Sequence, residues 1–336
     1  MDSITHLALG ACMGEAFAGK KLGNKAMVWG AVAQSIPDID FITSFWMGTE
    51  DNLLAHRGFT HSFLFIALIS PVFALCAERW HRPHNISLVR WMVFFALVIL
   101  GHVVLDAFNN YGVGWWEPFN HHRISFNAIY VADPFFSIWP AIAIAMILIK
   151  KRDILWNQRI CMSGMLVSLV YLFYCSFNKF TIDRIARLNF TDQHIKAETY
   201  FTTPTPLQNW LWYIVGGNED GFVVGFHSLF EKDDHIDFHY FPKNDIFLKR
   251  MTNQEEIIKL KRFSQGFYTV EQWSDTLVFN DLRFGQMIGW DHPDQRFVFH
   301  FFLEKKGSND LVVQRGRFQG WNYQVLKQYI RRIFKE

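Results

Sequence analysis

Residues 91–106 read WMVFFALVILGHVVLD. From Trp91 to Leu105 the run is apolar except for His102, and Asp106 closes it. A spanning helix needs about 20 mostly apolar residues, so this run with its flanks predicts a membrane helix. His102 and Asp106 are four apart and share one face of that helix. An ionisable group at membrane depth is costly and tends to be functional. The stretch therefore predicts a membrane fold and a polar site at one end of a span.

Three further apolar runs flank it: FLFIALISPVFALCA from Phe63 to Ala77, PFFSIWPAIAIAMILI from Pro134 to Ile149, and ICMSGMLVSLVYLFYCSF from Ile160 to Phe177. Two weaker segments, Ile4 to Gly19 and Ala26 to Ile36, come first. The expectation is an α-helical polytopic membrane domain over residues 1–180, with four clear spans and two shorter N-terminal helices. The 336-residue chain is 50% hydrophobic and only 19% charged, below the ~25% of soluble domains. Its 35 Phe, 13 Trp and 10 Tyr suit a bilayer and its interfaces. A soluble all-α protein would need more chain to cover these runs. The net charge of +2 gives no reason to expect a nucleic-acid partner. Cys12, Cys76, Cys161 and Cys175 lie in apolar stretches without a CxxC pair and read as reduced thiols. Asp2 stands where a signal peptide would carry basic residues, so no cleavable leader is expected.

Basic residues set the orientation. Lys20, Lys21 and Lys25 form one group, Arg79, Arg82 and Arg90 a second, and Lys150, Lys151, Arg152 and Arg159 a third. The positive-inside rule makes these three loops cytoplasmic. The alternate loops carry only Arg57 (residues 37–62) and only Arg123 (residues 106–133), so they face outward. Lys179, Arg184 and Arg187, after the last span, argue the other way.

After Pro204 and Pro206 the character changes. Short Phe- and Val-rich runs at 222–230, 236–241, 276–285, 296–304 and 310–318 are separated by Gly, Asp and Asn. They predict a soluble antiparallel β-rich (α+β) domain over residues 200–336. Asn253 to Phe263 reads as a helix with Asn253 as its cap. His227, His235, His239 and His300 read as surface or core residues, not as a second site.

Metal-ligand residue types gather at the ends of the apolar segments. His6 opens the first, Pro37-Asp38-Ile39-Asp40 closes the second, and HRGFTHS, with His56, Arg57 and His61, leads into the third. His102 and Asp106 end the fourth, and Asp133 precedes the fifth. Segments that cross in alternate directions put all of these at one face, the one poor in Lys and Arg. Individually the features have plainer readings: His6 as a helix start, PDID as a capping turn, Asp133-Pro134 as a helix start. Jointly they predict a metal site at the outer face of a bacterial inner membrane. Mixed imidazole and carboxylate ligands suit zinc, manganese or iron more than calcium. Asp38 or Asp40, whichever the metal leaves free, is placed to act as general base, and Arg57 to neutralise a phosphate.

The same residues resemble the YdjM-like inner-membrane proteins, described as LexA-regulated metal-dependent hydrolases. The resemblance rests on MDSITH, PDID, HRGFTHS, GHVVLDAFNNYG and VADPFF, and covers about residues 1–180. That family is similar, at a distance, to zinc-dependent phospholipases C and single-strand nucleases. The resemblance implies phosphodiester hydrolysis and makes His6, Asp40 or Asp38, His61, His102 and Asp106 ligands, alongside the candidates His56 and Asp133. Those secreted enzymes also use an N-terminal amine and an H-x-x-x-E pair. Here no processing is evident, and the H-x-x-x-E spacing that follows the last span, His194 to Glu198, falls on an expected solvated helix face. One or two divalent ions are therefore expected, most simply zinc.

The expected function is hydrolysis of a phosphodiester or ester in a lipid or lipid-linked substrate, with membrane lipids as partners. The β domain lies on the same face if the last span crosses fully. The competing reading is a non-enzymatic metal-binding membrane protein or a transporter. The clear spans carry no Asp, Glu, Lys or Arg in their cores, which favours the enzyme.

Overall fold

The structure, a computed structural model, describes residues 1–82, 86–150, 153–251, 253–303, 312–313 and 321–335. It divides into two compact units: Met1–Ile42 with Ala55–Ser176, and Thr43–Leu54 with Phe177–Glu336.

The first unit is helical. α1 (Ser3–Leu22) and α2 (Asn24–Ser35) form a hairpin, followed by a 3-10 helix (Pro37–Phe45). After α3 (Thr49–Ala55), which belongs to the second unit up to Leu54, a short 3-10 turn (Phe59–His61) leads into α4 (Phe63–Trp80), α5 (Leu88–Asp106), α6 (Pro134–Ile149) and α7 (Ile154–Asp192), whose residues from Phe177 onward belong to the second unit. Side-chain caps fix several starts. Asp2 accepts from the Thr5 amide, Ser62 from Phe65, Ser87 from Arg90, and Asp133 from Phe135 and Phe136. Pro134 at the first turn of α6 already has the helical φ and gives up no needed donor.

Among the described residues, α4, α5 and α7 are long and apolar enough to cross a membrane. α6 has 16 residues, short of the ~20 that span a hydrocarbon core. Leu68, Val72, Val93, Leu97, Leu166 and Phe173 are exposed on these three helices. Such outward apolar faces suit lipid. The interior between α1, α2, α4 and α5 is filled by Ala18, Ala33, Phe95, Val98, Ile99 and Val103.

α1 and α2 approach at backbone distance. A Cβ on Gly10 would stand 2.4 Å from the Gly30 carbonyl oxygen, and one on Gly30 would stand 2.0 Å from that of Gly10. Gly14 meets the Ala26 carbonyl in the same way. Small residues four apart let membrane helices close on each other. The hairpin brings the start of α1 and the end of α2 to the same end of the unit.

The second unit is built on antiparallel sheets. β1 (Thr199–Pro204), β2 (Leu211–Gly217), β3 (Gly221–Ser228) and β4 (His239–Pro242) pair in that order. β5 (Tyr268–Trp273), β6 (Thr276–Gln286), β7 (Phe297–Leu303) and β8 (Val312–Val313) form a second sheet in that order. α8 (Gln254–Phe263) starts at Asn253, which caps the Glu256 amide as expected, and α9 (Tyr323–Phe334) ends the unit. β1, β2 and β5 have no counterpart among the runs picked out by alternation. β2 is buried along its whole length, so its residues do not alternate. Only Val312 and Val313 of the expected 310–318 strand fall within the described residues. His194 sits in the turn after α7 with φ 54 and Glu198 just precedes β1, so this pair lies beyond the helix and not on its face.

Candidate metal centre

Three stretches of the helical unit converge on one point. α5 carries His102 and Asp106 one turn apart, both fully buried. The 3-10 helix after α2 brings in Asp38, and the turn before α4 brings in His61. Asp38, His61, His102 and Asp106 each offer a donor atom, and all four atoms lie within 4.8 Å of one another.

The separations fit one small ion. His61 Nε2 and His102 Nε2 are 3.2 Å apart. Asp38 Oδ1 lies 3.5 Å from His102 Nε2 and 3.7 Å from His61 Nε2. Asp106 Oδ2 lies 3.5 Å from His61 Nε2 and 3.7 Å from His102 Nε2. Tetrahedral zinc ligands with arms of ~2.0–2.1 Å stand about 3.3 Å from each other.

The surrounding contacts orient the lone pairs inward. His102 Nδ1 lies 2.5 Å from the Gln34 carbonyl, which only accepts, so in the neutral ring Nδ1 carries the hydrogen and Nε2 is free to ligate. His61 turns Nδ1 toward Thr60 Oγ1 at 3.1 Å and Asp40 Oδ2 at 3.6 Å, which leaves its Nε2 in the cluster. Burial, then the electrostatic influence of the neighbouring His102 and Arg57, lowers the His61 pKa well below the usual imidazole value. The neutral ring is the form that binds metal. Burial pushes the Asp38 carboxyl upward, but the adjoining His102 imidazole, the Met1 amine and Arg57 outweigh this and hold it below the ordinary range. The Asp38 side chain is 27% exposed whereas the other three donors are closed off, so access is from its side.

The remaining sequence candidates surround this set. His6 is buried, stacks on His102 with centroids 3.8 Å apart, and places Nε2 3.2 Å from Asp106 Oδ1. The Met1 amine contacts the same Asp106 oxygen. Asp40 stands behind His61 and accepts from the Arg57 amide at 2.7 Å and from Thr60 Oγ1 at 3.2 Å. His56, partly exposed, meets Asp40 Oδ1 at 3.1 Å. Arg57, not Gly58, takes the left-handed backbone, with φ 58. That conformation turns its guanidinium inward, 2.8 Å from Asn109 Oδ1, 3.2 Å from Asp106 Oδ2 and over the Tyr111 ring. Asp133 is not among the four. It caps α6 and accepts from the Tyr171 hydroxyl at 3.0 Å.

Gln34, Thr60, Asn109 and Tyr111 escaped the sequence reading as members of the site. Gln34 acts through a backbone carbonyl, which has no residue signature. The other three lie inside HRGFTHS and GHVVLDAFNNYG, where their neutral side chains are masked by stronger ligand types.

A helical unit with membrane-length helices and two imidazoles and two carboxylates gathered at one end defines a membrane protein with a possible metal site. The chain belongs to the YdjM inner membrane protein family, whose model matches residues 1–181. It is 27% identical over 166 residues to inner membrane protein YbcI of Escherichia coli (strain K12), covering 48% of this chain and 87% of that protein. It is 29% identical over 156 residues to uncharacterized protein YfhP of Bacillus subtilis (strain 168), covering 44% of this chain and 46% of that protein. No solved structure matches. The family match holds all four clustered donors and stops before β1.

Proposed function

We propose that this protein is a membrane-bound hydrolase that uses a divalent metal ion, zinc by its donor set, on a phosphodiester or ester. The substrate is a lipid or lipid-linked molecule reached at the bilayer face. The observation that carries the reading is the set of five donor separations between 3.2 and 3.7 Å, formed by residues from three separate stretches. An ion held there supplies Lewis-acid polarisation and activates water near neutral pH. Asp38 Oδ1 faces the imidazoles, which leaves its second oxygen to take a proton from the attacking water. Arg57 fixes Asp106 and adds positive charge where a phosphoryl group would be drawn in. His102 and His61 are held in their ligating tautomers by Gln34 and by Thr60 with Asp40.

In this reading α6 and its flanks make a fourth crossing. The positive-inside rule then places the centre and the β-rich unit outside the inner membrane. A non-enzymatic metal-binding protein or transporter is the second reading. Glu15, fully buried midway along α1, is the observation that favours it, because an ion path needs ionisable groups along the helices.

The deciding experiment measures bound metal in detergent-purified protein by mass spectrometry and screens phosphodiester, phosphomonoester and ester substrates. The expected result is a stoichiometric ion and hydrolysis, both lost in His61→Ala and Asp106→Ala. Unchanged metal in both variants would remove the site. Metal without hydrolysis of any substrate would favour the second reading. Reporter fusions after residues 85, 120 and 155 test orientation, and a cytoplasmic signal at 120 would reverse it.

A further inference from the structure

The opposite end of the helical unit carries a second feature. α1 runs from the His/Asp cluster to Lys20 and Lys21, α2 begins at that far end, and α4 finishes there. A cavity of about 500 Å³ opens there, lined among the described residues by Lys25, Val28, Trp29, Val32, Trp80 and His81. The first four share one face of α2, at spacings of three, four and seven. Trp80 and His81, from the end of α4, complete the lining. The Trp29 indole donates to His81 Nε2 at 2.8 Å and ties the two helices together.

The groove is graded. Lys25, exposed, lies in the first turn of α2, and Gly23, the cap residue, offers no side chain to the first amides. The positive end of the helix therefore adds to the lysine charge. Val32 lies seven residues further on, roughly 10 Å along the axis. Val28 is 61% exposed and Trp80 77% exposed, an apolar lining open to the surroundings. A charged mouth leading to an apolar wall is the polarity of a phospholipid.

We propose that this groove binds one anionic phospholipid, with its phosphate at Lys25 and an acyl chain along Val28, Val32 and Trp80. Basic pockets between membrane helices select such headgroups, and this end of the unit also carries Lys20 and Lys21. A zwitterionic choline lipid brings its ammonium toward Lys25 and is disfavoured. The groove is separate from the metal centre, so the inference does not depend on the hydrolase reading.

The test titrates delipidated full-length protein with phosphatidylglycerol or phosphatidylcholine of matched chains and counts bound lipid by native mass spectrometry. Wild type is expected to bind one phosphatidylglycerol at least about fivefold more tightly than phosphatidylcholine, the effect of one lysine near a lipid surface. Lys25→Glu should abolish the preference, and an acid at a helix start keeps α2 favourable. Val32→Trp should fill the groove and weaken both lipids. Unfolding temperatures equal to wild type show that each variant is folded, and Lys25→Arg, which keeps the charge, should keep the preference. Equal binding of the two lipids by wild type overturns the proposal. So does a preference that survives Lys25→Glu, or a dimer that phosphatidylglycerol does not displace.

Discussion

Buried charge is arranged differently in the two units. In the β-rich unit it is paired. Arg283 grips Asp281 through two nitrogens at 3.0 and 2.6 Å. Glu231, almost fully buried, receives Arg332, His227 at 3.0 Å and Lys335 at 3.8 Å. Each carboxylate faces cationic or hydrogen-bonding groups and needs nothing more. In the helical unit two imidazole nitrogens face each other at 3.2 Å with carboxylate oxygens around them. Lone pairs that point at one another repel unless a cation or proton lies between them. The paired sets are suited to holding a fold, and the open set to holding a ligand.

The contrast predicts opposite outcomes for substitutions of similar chemistry. The largest effect should come from the donors. His61→Ala or Asp106→Ala should lower metal affinity by more than the ~10–100-fold typical of residues behind the ligands. Competition with a chelating dye measures this, and a loss smaller than that of the next variant would break the distinction. Asp40→Asn should fall within that ~10–100-fold range, because Asp40 orients His61 without being among the four donors. An affinity equal to wild type would remove Asp40 from the supporting role.

Gly30→Leu acts at one remove. The side chain cannot fit where a Cβ already meets the Gly10 carbonyl at 2.0 Å, so α1 and α2 must separate. Overpacking of this kind costs about 1–3 kcal/mol, visible as a lower unfolding temperature, and the shift at Gln34 and Asp38 should weaken metal binding as well. Retained stability with normal metal content would show that the close crossing is not needed.

The smallest effect on the metal should come from Glu231→Gln, which should leave it unchanged while altering the β-rich unit. Burial raises the Glu231 carboxyl, but the close approach of His227 and the hydrogen bond from Arg332 prevail and hold it at about 2, below the usual 4.5. A depressed carboxyl contributes stability above its unfolded value that is lost as pH falls toward the folded one. Wild type should therefore lose stability between pH 4.5 and about 2, and Glu231→Gln should flatten that part of the curve in an acid titration followed by tryptophan fluorescence. Identical acid profiles would show that the pairing is not part of what holds this unit.

Much of this contrast was visible before the fold was known, but unevenly. His102 and Asp106 were paired by helical spacing alone, and their run marked a membrane helix. His61 was marked by the unusual density of HRGFTHS. The choice between Asp38 and Asp40 was not visible, since alternate residues of a 3-10 turn point differently only once the turn is built. Asp133 carries the same residue type at the same kind of segment end, yet its partners are the α6 amides and Tyr171. β2 was missed because burial on both faces removes the alternation that reveals a strand.

The sequence alone determined that the N-terminal half is apolar helix, that the family is YdjM-like, and that metal-ligand residue types gather at one end of those helices. These properties depend on local hydropathy and on the alternating direction of successive segments. The tertiary structure decided which four donors meet, which residues orient them, and that Arg57 faces inward. Those outcomes depend on ångström-scale approaches, such as Gly10 against Gly30 and His102 against the Gln34 carbonyl, between segments far apart in the chain.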